Sequence, residues 1–282
     1  MPAHQAAHHL PASLGALASS DLSPEQWEVI VVDDASRDDT ALVAARFADT
    51  VHRLTGPPAG PGKARNAGAA LARGTWLVFI DADVVVHRDT LRKFADAGAR
   101  DPGVVAVFGA YDSRPMARGV ITEYRNLLHR YVHLQGSGDA ETFWAGCGAV
   151  RRDWFLEAGG FDVEKYPRPQ IEDIELGYRL RDRGGRIVLD PDIQATHLKR
   201  WTLAGMLRTD IRDRGIPWMR LLLERRGSAR PTLNVGRAEA LKVGLAGAAL
   251  LGGPVGVLLG APWLLAALPI GALVLTAWNR GI

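Results

Sequence analysis

An α/β fold with a mostly parallel sheet is what the 282-residue chain predicts, and three observations carry that prediction. Short apolar runs alternate with stretches of helical periodicity through residues 1–200, the pattern of strands linked by helical crossovers. Two of those runs end in acidic pairs, Asp33-Asp34 and Asp81-Ala82-Asp83. Beyond residue 200 the alternation stops and a basic stretch leads into a long uncharged one.

The elements follow in order. Met1 to Gln5 leads without a preceding apolar run into a helix over His8 to Ser19. Trp27 to Val32 is a buried strand with Asp33 and Asp34 at its carboxyl end, and Thr40 to Ala48 is a helix. Gly60-Pro61-Gly62-Lys63-Ala64-Arg65-Asn66-Ala67-Gly68 is a glycine-rich loop entering a helix. Thr75 to Ile80 is a second buried strand, Val104 to Phe108 a third and Arg186 to Leu189 a later one. Ile171 to Leu180 opens a helix that ends near Gly184-Gly185. Ligands of open α/β sheets bind beyond the carboxyl ends of strands, so the two acid-tipped strands place four carboxylates along one edge.

Composition narrows the chemistry. A single cysteine, Cys147, excludes a disulfide framework, a cysteine-built zinc site and a CxxC redox pair. A formal charge of only +3 argues against nucleic acid as a partner. The charge is uneven: between Leu198 and Arg230 nine Lys/Arg stand against three acids. This stretch, with Trp201, Leu203, Leu207, Ile211 and Trp218 among the cations, is expected to form amphipathic helices at a bilayer surface. No charge occurs between Lys242 and Arg280, 37 residues. One helix of that length would reach about 55 Å against a hydrocarbon core of ~30 Å, so two transmembrane helices are expected, broken near Gly252-Gly253-Pro254 or Gly260-Ala261-Pro262. The domains expected are therefore a catalytic α/β domain over 1–200, an interfacial segment over 201–235 and the membrane helices over 236–282.

Several motifs carry chemistry. Asp81 and Asp83 lie two apart after a strand, so both carboxylates can face one ligand. A hard divalent cation such as Mn²⁺ or Mg²⁺ takes oxygen donors of this kind and is often shared with substrate phosphates. Carboxylates after a strand also cap helices, so the motif alone leaves both roles open. One of Asp33 and Asp34 can accept hydrogen bonds from a base or ribose. Lys63 and Arg65 can meet a diphosphate beside a helix N-terminus. Asp173 and Glu172 begin a helix, where acids serve either the helix dipole or general-base chemistry. His197 follows the last strand as a candidate third metal ligand, with Arg200 and Trp201 able to meet phosphate or a sugar face.

Taken together and in order, VDDASRDDT, GKARNAG, FIDAD, GCGAVRRDWFLEAGGFD, IEDIELGYRLRDRG and HLKRW resemble the inverting nucleotide-sugar transferases of glycosyltransferase family 2, over roughly residues 2–201. The resemblance implies the GT-A fold with its Rossmann-like mixed sheet, to which the uncharged 243–279 segment adds a C-terminal transmembrane hairpin. It implies that Asp33 and Asp34 hold the nucleoside, that Lys63 and Arg65 lie near base and diphosphate, and that Asp81 and Asp83 form the metal and diphosphate motif. It further implies that Gly146 to Asp162 lines the acceptor side, with Cys147 a small packing residue, and that Asp173 is the base with Glu172 beside it. His197 to Trp201 is similar to a Q-x-x-R-W motif with His in place of Gln, which puts processivity in doubt and makes His197 a metal candidate. Met1 to Gln5 is similar to the end of the family's first strand. The strand itself is missing from the sequence, and a late start and an early end are expected.

The expected activity is transfer of a sugar from a nucleotide-diphosphate sugar to a lipid-linked or glycan acceptor. A multi-pass cell-membrane location is expected, with the catalytic domain on the cytoplasmic, basic side. A polyprenyl-phosphate glycosyltransferase, a non-catalytic nucleotide-sugar-binding membrane protein and a metal-dependent phosphohydrolase are the alternatives.

Overall fold

Nine strands and nine α-helices alternate along the chain: β1 (Pro2–Ala3), α1 (Leu10–Ala18), β2 (Ile30–Asp33), α2 (Thr40–Ala44), β3 (Thr50–Arg53), α3 (Pro61–Leu71), β4 (Trp76–Ile80), β5 (Val84–Val86), α4 (Thr90–Arg100), β6 (Val104–Tyr111), α5 (Val120–Gln135), β7 (Gly138–Ala140), β8 (Cys147–Arg151), α6 (Arg152–Glu157), α7 (Glu172–Asp182), β9 (Arg186–His197), α8 (Leu203–Arg208) and α9 (Ile216–Glu224), with a π-helical turn over Thr209–Gly215 joining the last two. This computed structural model describes residues 1–225, 241–242, 244–248, 260, 266 and 269–271, and these counts are of the described residues. The chain divides into two units, Met1–Arg230 and Pro231–Ile282.

Two sheets form the first unit. β1, β2 and β3 are parallel, with Pro2 opposite Val32 and Ile30 opposite Thr50. The second sheet runs β4-β8-β6-β9-β5, with β7 also on β9. Within it only β6 and β9 are parallel. This is a mixed sheet, as the family resemblance implies, and not the mostly parallel one that the strand-helix alternation alone suggests. Its organiser is the 12-residue β9, which pairs β6 along one edge and shares the other between β7 and β5. The strand expected over Arg186 to Leu189 meets Asp190-Pro191-Asp192 at its end. The strand instead passes through them at a register shift opposite Phe108 and Ala110, the kind of irregularity where proline is tolerated.

β6 is buried at all eight positions, as expected of a strand covered on both faces. Leu10, Leu14 and Leu17 of α1 join Val31, Phe94 and Val107 in the main core. A cavity of about 290 Å³ lies between β2 and β4, lined by Ile30, Trp76, Val78 and Ile80 with Leu17 and Gly68. Where a first strand was expected to be missing, its end is present as β1, and the Met1 amine extends the ladder by donating to Ile30 O at 2.8 Å.

Residues 201–225, expected as a separate interfacial segment, belong to the first unit. Trp218, Leu221 and Leu222 of α9 pack on Tyr166, Ile171, Ile174 and Tyr178. Among the described residues no helix is long and apolar enough to cross a membrane. The two spans expected over 236–282 fall largely outside the described residues.

Candidate active site

The site forms where α3, the turn after β4, α7 and the end of β9 meet, and each arrives with its own motif. Arg65 is the joint. Residues two apart on a helix point to nearly opposite sides, so Lys63 is exposed while Arg65 is buried. The two cations expected near one diphosphate therefore part company. Arg65 donates from Nη2 to Asp81 Oδ1 at 2.7 Å and from Nη1 to Glu172 Oε1 at 3.0 Å. A planar fork suits two carboxylates, and this one ties the GKARN, FIDAD and IED segments into one buried cluster. Asn66 adds a second tie: it donates from Nδ2 to Phe161 O at 2.8 Å and accepts at Oδ1 from Phe161 N at 2.9 Å.

Asp173 stands at the start of α7. Its Oδ2 accepts from Ala145 N at 3.0 Å and its Oδ1 from Ile174 N at 2.9 Å. Burial pushes its carboxyl up to about 6; the neighbouring Glu172 charge adds to the rise, and Arg65 and the Ala145 N–H oppose it. Desolvation thus makes it a stronger proton acceptor than an ordinary aspartate. Glu172 is committed elsewhere, to Arg65 and, through Oε2, to Gln170 N at 2.9 Å.

Asp81 and Asp83 do not share a partner. β4 ends at Ile80 and the chain turns through 81–83 into β5, so the extended geometry that would align both carboxylates is lost. Asp81 faces Arg65, whereas Asp83 Oδ2 lies 3.5 Å from His197 Nε2. Burial works against the ionised form of Asp83, but His197, Lys199 and His9 outweigh it and hold the carboxyl below its ordinary value. His197 is buried and stacked on Tyr111, ring centroids 4.6 Å apart at 11°. Its Nδ1 meets Asn126 Oδ1 at 3.0 Å, and Asn126 Nδ2 donates to Thr122 O. Asn126 Oδ1 must therefore accept, which puts a proton on Nδ1 and turns Nε2 towards Asp83. A carboxylate oxygen and an imidazole nitrogen at this separation fit two ligands of one divalent ion, the remainder coming from phosphate and water. Asp81, expected as a metal ligand, is held by Arg65 instead. Among the described residues no set of three His, Cys, Asp or Glu side chains gathers to hold a metal by itself.

Asp33 and Asp34, expected to face the nucleoside, turn to the backbone. Asp34 accepts from Ala59 N at 2.8 Å and Gly60 N at 2.8 Å, which fixes the loop before α3. Asp33 accepts from Ser36 N at 3.0 Å, with Arg53 Nε at 3.3 Å. Gly146 carries no side chain because a Cβ there would come within 2.5 Å of the Trp144 ring; its carbonyl accepts from Asp81 N at 3.2 Å. Cys147 is fully buried and its thiol is pushed up to about 12 by burial, as befits a packing residue. Arg200 is exposed. Trp201 donates from its backbone N to Thr122 Oγ1 at 2.9 Å, and its ring carries Lys199 Nζ at 4.2 Å.

Sequence reading missed the wall of this site. Tyr111, His129 and Trp144 meet in tilted and edge-on ring contacts, His129 4.6 Å from Tyr111 and 4.8 Å from Trp144. Asn126, His129 and His133 recur at helical spacing along one face of α5, a signal that was present in YRNLLHRYVHL. Arg214 was missed as well: its charge acts on Asp173, Tyr111 and His129.

The fold is the GT-A fold. The mannosyltransferase PcManGT from Pyrobaculum calidifontis, solved in complex with GDP-Man and Mn²⁺, is similar over 99% of this chain and 86% of its own at a TM-score of 0.63 and 23% identity. Residues 1–159, more than half of the chain, match glycosyl transferase family 2, and the chain belongs to that family. Poly(ribitol-phosphate) beta-N-acetylglucosaminyltransferase TarS of Staphylococcus aureus is 30% identical over 99 residues, 34% of this chain and 17% of TarS. Validoxylamine A glucosyltransferase of Streptomyces hygroscopicus is 27% identical over 213 residues, 62% of this chain and 45% of that enzyme. The chain thus spans less than half the length of either relative.

Proposed function

We propose that the chain is an inverting glycosyltransferase that moves a sugar from a nucleotide-diphosphate sugar to an acceptor hydroxyl. The observation that carries this is the Arg65 fork, which brings Asp81, Glu172 and, beside it, the raised carboxyl of Asp173 into one cluster. Relatives and structural neighbours named for such transfers support it.

In a single displacement the acceptor oxygen attacks the anomeric carbon, the bond from that carbon to the diphosphate oxygen breaks, and the acceptor proton passes to Asp173. General-base catalysis of this kind contributes ~10²–10⁴-fold. Asp83 and His197 are the residues that would hold a divalent cation, Mn²⁺ or Mg²⁺, which when bound supplies Lewis-acid neutralisation of the charge on the departing diphosphate. Lys63, free of the buried cluster, meets the donor's anionic part at the start of α3. Arg65 positions rather than contacts: it holds Asp81 and Glu172 so that Asp173 keeps its place. Gly146 and Trp144 with Tyr111 and His129 form the floor on the acceptor side, and Trp201 with Arg200 stands at its rim.

The acceptor is lipid-linked or a growing glycan, presented at a membrane with the catalytic unit on the cytoplasmic side. The cationic 198–230 stretch before the uncharged 243–279 segment supports this. The test is a panel of UDP-, GDP- and dTDP-sugars with Mn²⁺ or Mg²⁺ against polyprenyl-phosphate and glycan acceptors, with the product anomer read by NMR. Release of nucleoside diphosphate with inversion is expected. Retention of configuration, or no turnover with any donor, would contradict the proposal.

A further inference from the structure

α8, the π-helical turn and α9 form one continuous helical run over 203–224 whose two sides differ in kind. The inner side carries Trp218, Leu221 and Leu222 onto the residues around α7. The outer side carries Leu203, Leu207, Ile211, Ile216, Met219 and Leu223, each 46–59% exposed. The spacings are four, four, five, three and four. In an α-helix the five-residue step would swing Ile216 about 140° from Ile211. That step lies inside and at the end of the π turn Thr209–Gly215, whose i→i+5 pairing returns it to the same side. The turn keeps the stripe continuous.

Charge is sorted the same way. The three acids of the run are drawn onto the domain: Asp210 pairs with Arg125 at 2.6 Å, Asp213 with Arg168 at 3.8 Å and Glu224 with Lys165 at 2.5 Å. Arg208, Arg212 and Arg220 are exposed, each next in sequence to a stripe residue, and have no ion-pair partner among the described residues. A second copy would bring the same stripe and the same arginine row, with its acids already paired to its own domain. An anionic bilayer surface offers both, an apolar layer for the stripe and phosphates beside it for the guanidiniums.

We infer that the outer side of 203–224 lies in the headgroup layer of an anionic membrane, parallel to its plane. Because the inner side of the same run packs around α7, Asp173 then sits one helix away from the lipid surface. This contact is distinct from any made by the uncharged 243–279 segment, and it holds whether or not Asp173 proves to be the base, since the test reads no catalysis.

The experiment uses the full chain with Cys147→Ala, labelled with NBD at Met219→Cys, Ile211→Cys or, as a control on α2, Leu42→Cys, on vesicles with and without phosphatidylglycerol and with brominated acyl chains. The probes at 211 and 219 are expected to shift blue and to be quenched by bromolipid on anionic vesicles, while the probe at 42 stays open to aqueous iodide. Replacing Arg208, Arg212 and Arg220 together by Gln should weaken that immersion about 100-fold, at roughly one charge's worth of surface attraction each. Three results would overturn the inference: probes at 211 and 219 that stay open to iodide on vesicle-bound protein, immersion that ignores phosphatidylglycerol, or concentration-dependent burial without lipid.

Discussion

With its carboxyl pushed up to about 6, Asp173 is mostly ionised only above that pH. The rate with saturating acceptor should therefore fall about tenfold per pH unit below 6, as measured by initial rates between pH 4.5 and 8. The same shift has a stability consequence of fixed sign. The folded state binds this proton more tightly than the unfolded chain, so its contribution is favourable at low pH and is lost as pH rises from about 4 to 6. Above pH 6 the buried charge costs as much as about 3 kcal/mol. Asp173→Asn should then be the more stable protein at pH 7.5 in urea unfolding, with the advantage shrinking below pH 6. Arg65 acts in the opposite direction. Arg65→Met leaves Asp81 and Glu172 uncompensated and should destabilise by ~3–5 kcal/mol, whereas Arg65→Lys, which keeps the charge without the fork, should lose less. Residue types were legible in the sequence at this scale, but partners were not. Asp81 and Asp83 are two apart and looked like a pair. Only the turn between β4 and β5 sends one to Arg65 and the other to His197.

At the scale of elements, α7 is held by a close approach that only glycine allows. A Cβ on Gly177 would meet Phe143 N at 2.4 Å, so α7 lies directly on the Thr142–Phe143 backbone and brings Asp173 to Ala145. Gly177→Ala should destabilise by ~1–3 kcal/mol in thermal or urea unfolding, and it should lower kcat more than donor affinity, because the shift moves Asp173 and leaves the donor side in place. The elements that build this site were unevenly legible. β2, β4 and β6 are apolar runs with little periodicity to confuse, and α7 announces itself by its acids and Leu176, Tyr178 and Leu180. β7 and β5 are three residues long and take their partners from β9, which local sequence does not encode. α5 was readable by its spacing yet carried no familiar motif, so its Asn126 and His129 went unassigned.

For the whole molecule, the two sheets contribute different halves of one site: Asp34 of the first fixes the loop entering α3, and Asp83, Ala145 and His197 come with the second. A donor bound between them links their stabilities. The matching nucleoside diphosphate with Mn²⁺, at 100 times its Kd, should raise the stability of the first unit by ~2.7 kcal/mol. A thermal-shift series over UDP, GDP and dTDP should thus pick out one base. The alternation of strands and helices made this architecture legible, since ligands of such sheets gather at the carboxyl ends of strands. The mixed sheet came with the motifs of the family resemblance and not with the alternation, because strand direction is set by long-range pairing.

The most direct test of the account is Asp173→Asn, assayed for transfer with whichever donor the nucleotide-sugar panel identifies and for donor binding by calorimetry with Mn²⁺. Turnover should drop by ~10²–10⁴-fold with the donor Kd unchanged. Undiminished turnover, or a loss explained entirely by weaker donor binding, would contradict a proton-accepting role for this carboxylate.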